Sequence, residues 1–305
     1  MQHFSTQFKA MGTTVRVWSA IPDHRNLSVL EAVPLWFAKW EGIFSRFLPG
    51  SELNYLNDHA GHWVQVSTEM LTVIGAAIEA SRLTGGLFNP LILPSLKAAG
   101  YDHSFSSDSF TPGEGIIQPE VPDWRELAID IPYRCVYVPA DARLDLGGIV
   151  KGWAAQEAAL YLSSVGACMV DAGGDIAAYG SPDELGGWLV SLPDAETIGS
   201  GNKNANAMGN LPRILLVNAM IATSGTTFHR WQRAGQNLHH LIDPRTGQPS
   251  TSEVLMATVV SPQATLAEAW AKATLIGADL PTLPARIIYR NGVSRCNTAF
   301  ERLVA

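Results

Sequence analysis

The residues best suited to chemistry lie in the stretch 144–153, which reads Leu-Asp-Leu-Gly-Gly-Ile-Val-Lys-Gly-Trp. Glycines let backbone N–H groups come close to an anion, and the N-terminus of a following helix adds partial positive charge. Lys151 brings a full charge, and Asp145 is placed to hold a sugar hydroxyl or help hold a metal. An apolar run at 135–138 leads in, and a helix-like run at 153–162 leads out. The pattern fits a nucleotide-phosphate cradle. It also fits a tight strand-to-helix turn with an exposed lysine.

Other residues add to this centre. His240 is suited to act as a general base near a phosphate. Adjacent strand residues point to opposite faces, so at most one of His239 and His240 faces a site. Asp243-Pro244-Arg245-Thr246-Gly247 close behind is also a good turn sequence. Gly173-Gly174, flanked by Asp171 and Asp175, fits either a turn or a phosphate nest. Thr223-Ser224-Gly225 fits a strand-end turn, and Met11 fits a core position. Glu268 and Lys272 are four apart on a helix, acid first, the order of an ordinary exposed ion pair. There is no Gly-x-Ser-x-Gly elbow and no Cys–His nucleophile arrangement. Cys135, Cys168 and Cys296 form no CxxC pair, which argues against zinc and against a disulfide framework.

These groups need a scaffold. Strands are expected at 14–18, 63–66, 168–170, 176–179, 188–192, 214–218 and 254–260, with closing strands in 286–304. Helices are expected at 27–47, at 67–83 stopping on Gly85-Gly86, and at 265–276, with Ser51 capping a short turn. Residues 101–122 read as a long loop, and 198–210 as a flexible insertion. Mixed helices and strands without strict alternation predict an α+β fold, and no clear linker divides the chain, so a single domain over 1–305 is expected. Of 305 residues, 47% are hydrophobic and 16% charged, a well-buried globular composition. The net charge of −7, with no basic run, argues against nucleic acid and against polybasic membrane contact. No apolar run approaches a transmembrane length and no signal-like start is visible, so a cytoplasmic location is expected.

Taken together, the motifs Ala10-Met11-Gly12-Thr13, Phe44-Ser45-Arg46-Phe47 with Ser51-Glu52-Leu53, Thr84-Gly85-Gly86-Leu87-Phe88-Asn89-Pro90, and Asp145-Leu146-Gly147-Gly148-Ile149-Val150-Lys151-Gly152 occur in a telling order. Asp171-Ala172-Gly173-Gly174-Asp175-Ile176, Ala222-Thr223-Ser224-Gly225 and His240-Leu241-Ile242-Asp243-Pro244-Arg245-Thr246-Gly247-Gln248-Pro249 follow. This series resembles the ApbE family of FAD:protein FMN transferases, over about residues 4–295. The resemblance implies a single α+β domain related to the T-fold. It implies FAD and Mg²⁺ as ligands, and transfer of FMN to a threonine or serine hydroxyl of an acceptor flavoprotein, with AMP released. It places Met11, Phe47, Leu87, Phe88 and Asn89 along the flavin and adenosine, with Asp145, Lys151 and Leu241 also on FAD. Gly173 and Gly174 join the cofactor-binding set. His240 becomes the base for the acceptor hydroxyl, and the Gly148 carbonyl a metal ligand.

The chain departs from the family pattern at three places. Phe47 stands where Tyr is usual, and Asn89 where many members have Asp. The helix usually written Ala-Asp-Ala-x-Ala-Thr-Ala, whose Asp and Thr bind the metal, here reads Ala267-Glu268-Ala269-Trp270-Ala271-Lys272-Ala273. A protonated lysine cannot ligate Mg²⁺ and repels it. One expectation is that the Lys272 ammonium, held by Glu268, takes the metal's position and is itself part of the catalytic apparatus. The other is that Lys272 points outward and Mg²⁺ stays on Gly148 and Glu268. An FAD pyrophosphatase and a non-catalytic FAD-binding protein are the rival functions.

Overall fold

The computed structural model describes residues 2–21, 27–102, 119–194, 211–227, 230–233 and 236–304. The expected insertion at 198–210 and most of the loop expected at 101–122 lie outside the described residues.

The framework is an eight-stranded antiparallel sheet. Its strands are β1 (Gln2–Ala10), β2 (Thr13–Ile21), β6 (Ala167–Ala172), β7 (Ile176–Tyr179), β10 (Ala219–Gly225), β15 (Val254–Ser261), β16 (Ala285–Tyr289) and β17 (Ser294–Cys296), in that spatial order. Register follows the two-residue period: Val15 faces Ala172 and Val17 faces Val170 across β2 and β6, with Arg16 opposite Asp171. Val15, Val17, Cys168, Val170 and Ala172 are buried in the helix-side core. Met169 and Trp18, one residue out of phase, pack against the opposite face. There a ribbon of β8 (Trp188–Ser191) and β9 (Arg213–Leu216) covers the sheet, with Trp188, Val190, Ile214, Leu216 and Phe300 in its core.

Helices line the first face. They are α1 (Leu27–Phe44), α2 (Glu52–Asp58), α3 (Thr68–Leu83), α4 (Leu93–Ala98), α5 (Val150–Ser163) and α6 (Ala264–Ile276). α5 lies on β6 and β7, α6 lies on β10 and β15, and the two helices pack against each other. Ser51 and Ser67 cap α2 and α3 by accepting from Asn54 N and Met70 N, as their positions predict. α3 ends on Gly85 and Gly86, both at positive φ, with Gly86 N donating to Ser81 O at 2.8 Å. A small sheet of β3 (Trp63–Gln65), β5 (Cys135–Tyr137) and β4 (Ala128–Asp130) sits apart, and two hairpins, β11 (Arg230–Arg233) with β12 (Gln236–His239) and β13 (Ile242–Asp243) with β14 (Gln248–Pro249), lie between β10 and β15 in the chain. The apolar run at 135–138 therefore belongs to this satellite sheet and does not feed α5 directly.

Several local expectations are corrected. Ala10-Met11-Gly12-Thr13 is the tip of a hairpin: β1, which was not among the expected strands, ends at Ala10, and β2 opens at Thr13 opposite it. β1 was not legible because it is an edge strand of mostly polar residues, with Phe4, Phe8 and Ala10 packing against the core. Met11 and Gly12 both have positive φ, the signature of a type I′ turn. Ala222-Thr223-Ser224-Gly225 forms the last four residues of β10, with the turn following at 226–227, and the Thr223 and Thr258 hydroxyls lie 3.0 Å apart across β10 and β15. Residues 93–98 form α4, and the C-terminal stretch adds a helical turn, α7 (Thr298–Glu301). α5 begins at Val150, so Lys151 stands in its first turn. The free cysteines agree with the absence of a disulfide framework.

The helix-side core is pinned by aromatic edges. Phe37 is fully buried and meets Phe8 and Trp40 edge-on, each at 5.5 Å between centroids. Replacing Phe37 with Ala is expected to cost about 3–5 kcal/mol, measured by urea unfolding at neutral pH.

Candidate functional site

The charged centre of the molecule is Glu268. Its residue is 0% exposed, midway along α6. Oε1 accepts from the Gly152 N–H at 2.6 Å, and Oε2 accepts from Lys272 Nζ at 3.0 Å. Lys151 Nζ lies 3.9 Å from the same Oε2 and 3.1 Å from Asp175 Oδ2. So the Glu268–Lys272 pair, legible as an exposed i,i+4 pair, is buried. The reason is local composition: α6 reads Ala-Thr-Leu-Ala-Glu-Ala-Trp-Ala-Lys-Ala-Thr-Leu-Ile and is apolar nearly all round.

Glu268 also answers a backbone need. Neither α5 nor α6 is capped by its own N-cap side chain. Glu268 of α6 takes the Gly152 N–H in the first turn of α5, and Gln156 of α5 takes the Ala264 N–H that opens α6, at 2.8 Å. The two pairs run in antiparallel register, and each helix supplies the other's cap. A Cβ on Gly152 would stand 2.6 Å from Glu268 Oε1, so any larger residue there has to displace this carboxylate. The helix terminus that the sequence offered to a phosphate is thus engaged by a carboxylate at Gly152.

Burial, and then the Asp175 carboxylate, push the Glu268 carboxyl up, while Lys272 and Lys151 pull it down. Burial pushes the Lys151 ammonium down, but Asp175 and Glu268 outweigh it and hold Lys151 above the ordinary lysine value. Lys151 is therefore a fixed cation rather than a base.

Around this pair the motif segments interlock. Asp145 N donates to Pro90 O at 2.8 Å, tying the 145–152 stretch to the 84–90 stretch. Asn57 grips Leu144 on both sides, accepting from its N–H at 2.7 Å and donating to its carbonyl at 3.0 Å. A Cβ on Gly148 would meet Lys272 Cε and Phe88 Cε2, both at 3.3 Å, so Lys272 and Phe88 face this glycine. Asp145 Oδ1 accepts from Gly147 N at 2.9 Å, while Oδ2 pairs with Arg46 Nε at 2.8 Å. Arg46 lies with Cζ 4.2 Å from the Phe47 ring centroid and 4.6 Å from that of Tyr101. Tyr101 stacks on Trp231 at 5.7 Å and stands edge-on to His240 at 6.3 Å. Burial pushes the Tyr101 hydroxyl above its ordinary value, so it is neutral at pH 7.

The remaining sequence-derived candidates are placed as follows. Met11 N donates to Glu41 Oε1 at 3.1 Å, and the Met11–Gly12 tip abuts the 173–174 turn through Thr13, whose hydroxyl occupies the space a Cβ on Gly173 would need. Gly174 N is engaged by Asp171 Oδ1 at 2.7 Å, the turn rather than the nest at that position. Asn89 uses its amide on Leu91 N and Pro122 O, and Leu87 beside it is half-buried. Leu241 is core, clustered with Leu275 of α6. His239 is the buried member of the histidine pair and His240 the half-buried one. Asp243 does not orient His240: it holds Arg245 at 2.7 Å, and Arg245 reaches the Ile276 carbonyl at the end of α6. Two surface cavities, of about 290 and 340 Å³, are lined by residues of α1, α3 and α5 such as Trp36, Trp153 and Tyr161, and by none of these candidates.

Sequence reasoning missed Arg46, Asn57, Tyr101 and Asp175. Arg46 and Asp175 stood inside quoted motifs, but their partners are 99 and 24 positions away, out of reach of any local pattern.

Comparison with known proteins fits this arrangement. The family model described as "ApbE family" matches residues 11–280. The chain belongs to the ApbE family. It is 26% identical to the FAD:protein FMN transferase of Treponema pallidum, over 86% of this chain and 75% of that protein. It is 26% identical to that of Vibrio cholerae, over 76% and 68%. In fold it matches the ApbE protein of Thermotoga maritima with a TM-score of 0.85 at 24% identity, over the whole of both chains. It matches the Vibrio cholerae flavin transferase ApbE at 0.77 and 22%, over 99% of each. The α+β fold expected from the ApbE resemblance is therefore present. No described helix is long and apolar enough to cross a membrane.

The Mg²⁺ site that the ApbE resemblance implies does not fit these residues. The Lys272 ammonium occupies the Glu268 carboxylate, and its chain lies against Gly148.

His239 makes a pH dependence. Leu241 N donates to its Nδ1 at 3.3 Å, which leaves Nε2–H to donate to Ser250 O at 3.0 Å, a neutral ring. Burial pushes its pKa below the ordinary histidine value. The unfolded chain then binds the proton more readily, so stability falls as pH drops through about 6.5 and below. Thermal melts between pH 7.5 and 5 are expected to show this decline, and His239→Gln to flatten it in that window.

Proposed function

We propose that this chain transfers FMN from FAD to a threonine or serine hydroxyl of an acceptor flavoprotein, releasing AMP. The observation that carries the reading is the convergence of two ammonium groups, Lys151 and Lys272, on the buried Glu268 beside Gly148. Phosphoryl transfer needs positioning and charge neutralisation more than covalent help, and fixed cations supply both. The family relatives named FAD:protein FMN transferase support the same chemistry.

In this reading the acceptor hydroxyl oxygen attacks the FMN phosphorus. The bond from that phosphorus to the bridging oxygen breaks, and AMP leaves with the oxygen and its electron pair. His240 takes the hydroxyl proton. His240 is held by its neighbours, His239 bonded to Ser250 and Leu241 packed on Leu275. Phe47, Phe88 and Met11 offer the apolar surfaces for the flavin, and Asp145 its polar edge. The test is covalent flavin on a purified acceptor flavoprotein, read as in-gel fluorescence after denaturation, with AMP released in equal amount. FMN and AMP released without acceptor would instead mark a pyrophosphatase, and stable bound FAD with no turnover a binding protein. His240→Ala is expected to slow transfer by about 10²-fold or more while FAD still binds.

The cation in this reading is Lys272. Its ammonium, held 3.0 Å from Glu268, supplies charge where the family pattern places a metal. Transfer in excess EDTA is expected within about twofold of the rate with added Mg²⁺, and Lys272→Met to lose the EDTA-resistant activity. Strict dependence of the unaltered chain on Mg²⁺ overturns this assignment without touching the transferase reading.

A further inference from the structure

Arg46 is the least satisfied charged group at the site. Its side chain is only 5% exposed. Nε is engaged by Asp145 Oδ2, yet Nη2 is buried with no hydrogen-bond partner among the described residues. A guanidinium facing a carboxylate usually satisfies both oxygens with two parallel bonds. Here only one bond of that fork forms: Nε meets Asp145 Oδ2 at 2.8 Å, while Oδ1 accepts from Gly147 N at 2.9 Å. Phe47 and Tyr101 flank the guanidinium and fix its plane. A buried charged donor without an acceptor is costly, and its persistence calls for a partner such as water, an ion or a ligand.

The surroundings identify that ligand by charge. Asp145, the partner of Arg46, lies on the same short 145–152 stretch as Lys151 and as Gly148, which Lys272 faces. The nearest ion pairs are balanced one to one: Arg46 with Asp145, Lys151 with Asp175, Lys272 with Glu268. An incoming anion therefore meets no net positive field from these pairs and has to be recognised by directed donors. Arg46 Nη2 is such a donor, rigid and unspent.

We propose that Arg46 is a diphosphate-binding residue: Asp145 holds its Nε, and its Nη2 donates to a diphosphate oxygen of FAD. This rests on the FAD reading above and adds a residue to it. Arg46 then divides its two edges between a protein carboxylate and the ligand, which a lysine cannot do, since an ammonium has no planar fork.

Binding of FAD, ADP and riboflavin is measured by equilibrium dialysis for the unaltered chain, Arg46→Lys and Arg46→Gln, with circular dichroism to check folding. ADP carries the diphosphate without flavin, and riboflavin the flavin without phosphate. Arg46→Gln is expected to weaken FAD and ADP about tenfold or more and riboflavin less than about twofold. Arg46→Lys is expected to fall between. If Arg46→Gln leaves Asp145 too poorly paired to fold, Arg46→Gln combined with Asp145→Asn removes both charges, and Arg46→Lys alone still decides. ADP affinity within about twofold of the unaltered chain in every folded variant overturns the proposal. So does a riboflavin loss as large as the FAD loss, which would make Arg46 a flavin or structural residue. An unaltered chain that binds neither FAD nor ADP overturns the FAD reading itself, and with it this proposal.

Discussion

The carboxylate of Glu268 is the point on which the structure turns. It is an ionisable group taken wholly out of water, and such a group persists only if it is paired and hydrogen-bonded. Each partner it uses belongs to a different requirement. Gly152 N–H is a helix terminus that needs an acceptor, Lys272 is a cation on the same helix that needs a counter-ion, and Lys151 arrives from α5 already bound to Asp175 of the turn between β6 and β7. One carboxylate thereby fixes α6 to α5, and α5 to the turn between β6 and β7. Removing it would leave two ammonium groups facing a buried space with one acid between them, the situation in which breaking a buried pair is most expensive.

This constraint explains why loops far apart in sequence meet. The 145–152 stretch cannot drift, because Asn57 holds Leu144 and Pro90 holds Asp145. The 240–247 stretch cannot drift either, since Arg245 closes on the last carbonyl of α6 and Leu241 packs on Leu275. His240 is thereby registered against the helix that carries Glu268 and Lys272. The hairpin tip at Met11 is wedged against Gly173 and held from α1 by Glu41.

Most of the strands and helices were legible because their signals are local. Ser51 and Ser67 are caps that need only the next three residues, and the buried strands alternate visibly. β1 was not, since an edge strand exposed to water need not alternate in hydrophobicity. At the site, the division falls in the same way. Residue types within a motif could be read, but not which acid each cation would choose. Asp243 sits three residues from His240, and in the fold it turns to Arg245. Glu268 and Lys272 are indeed paired, but whether water surrounds them is a property of the helix's all-round apolar face and of the helix packed against it. The near-continuous alanine pattern of α6 was the available sign of burial.

A lysine at position 272 changes the electrostatic economy of such a site. A divalent ion brings two charges, fixed coordination geometry and dependence on supply. An ammonium on a helix brings one charge, no ligand exchange and a position set by folding. A dianionic diphosphate then remains under-neutralised by Lys272 alone, and the balance has to come from other fixed cations. Lys151 is held charged by Asp175 and Glu268, and Arg46 adds a guanidinium paired with Asp145. In the three ion pairs each cation is already matched by an acid, so the unliganded site is neutral and stable to burial. Binding then works by turning donors already in place toward the anion rather than by importing charge, which is the condition for electrostatic preorganisation at a developing phosphoryl centre.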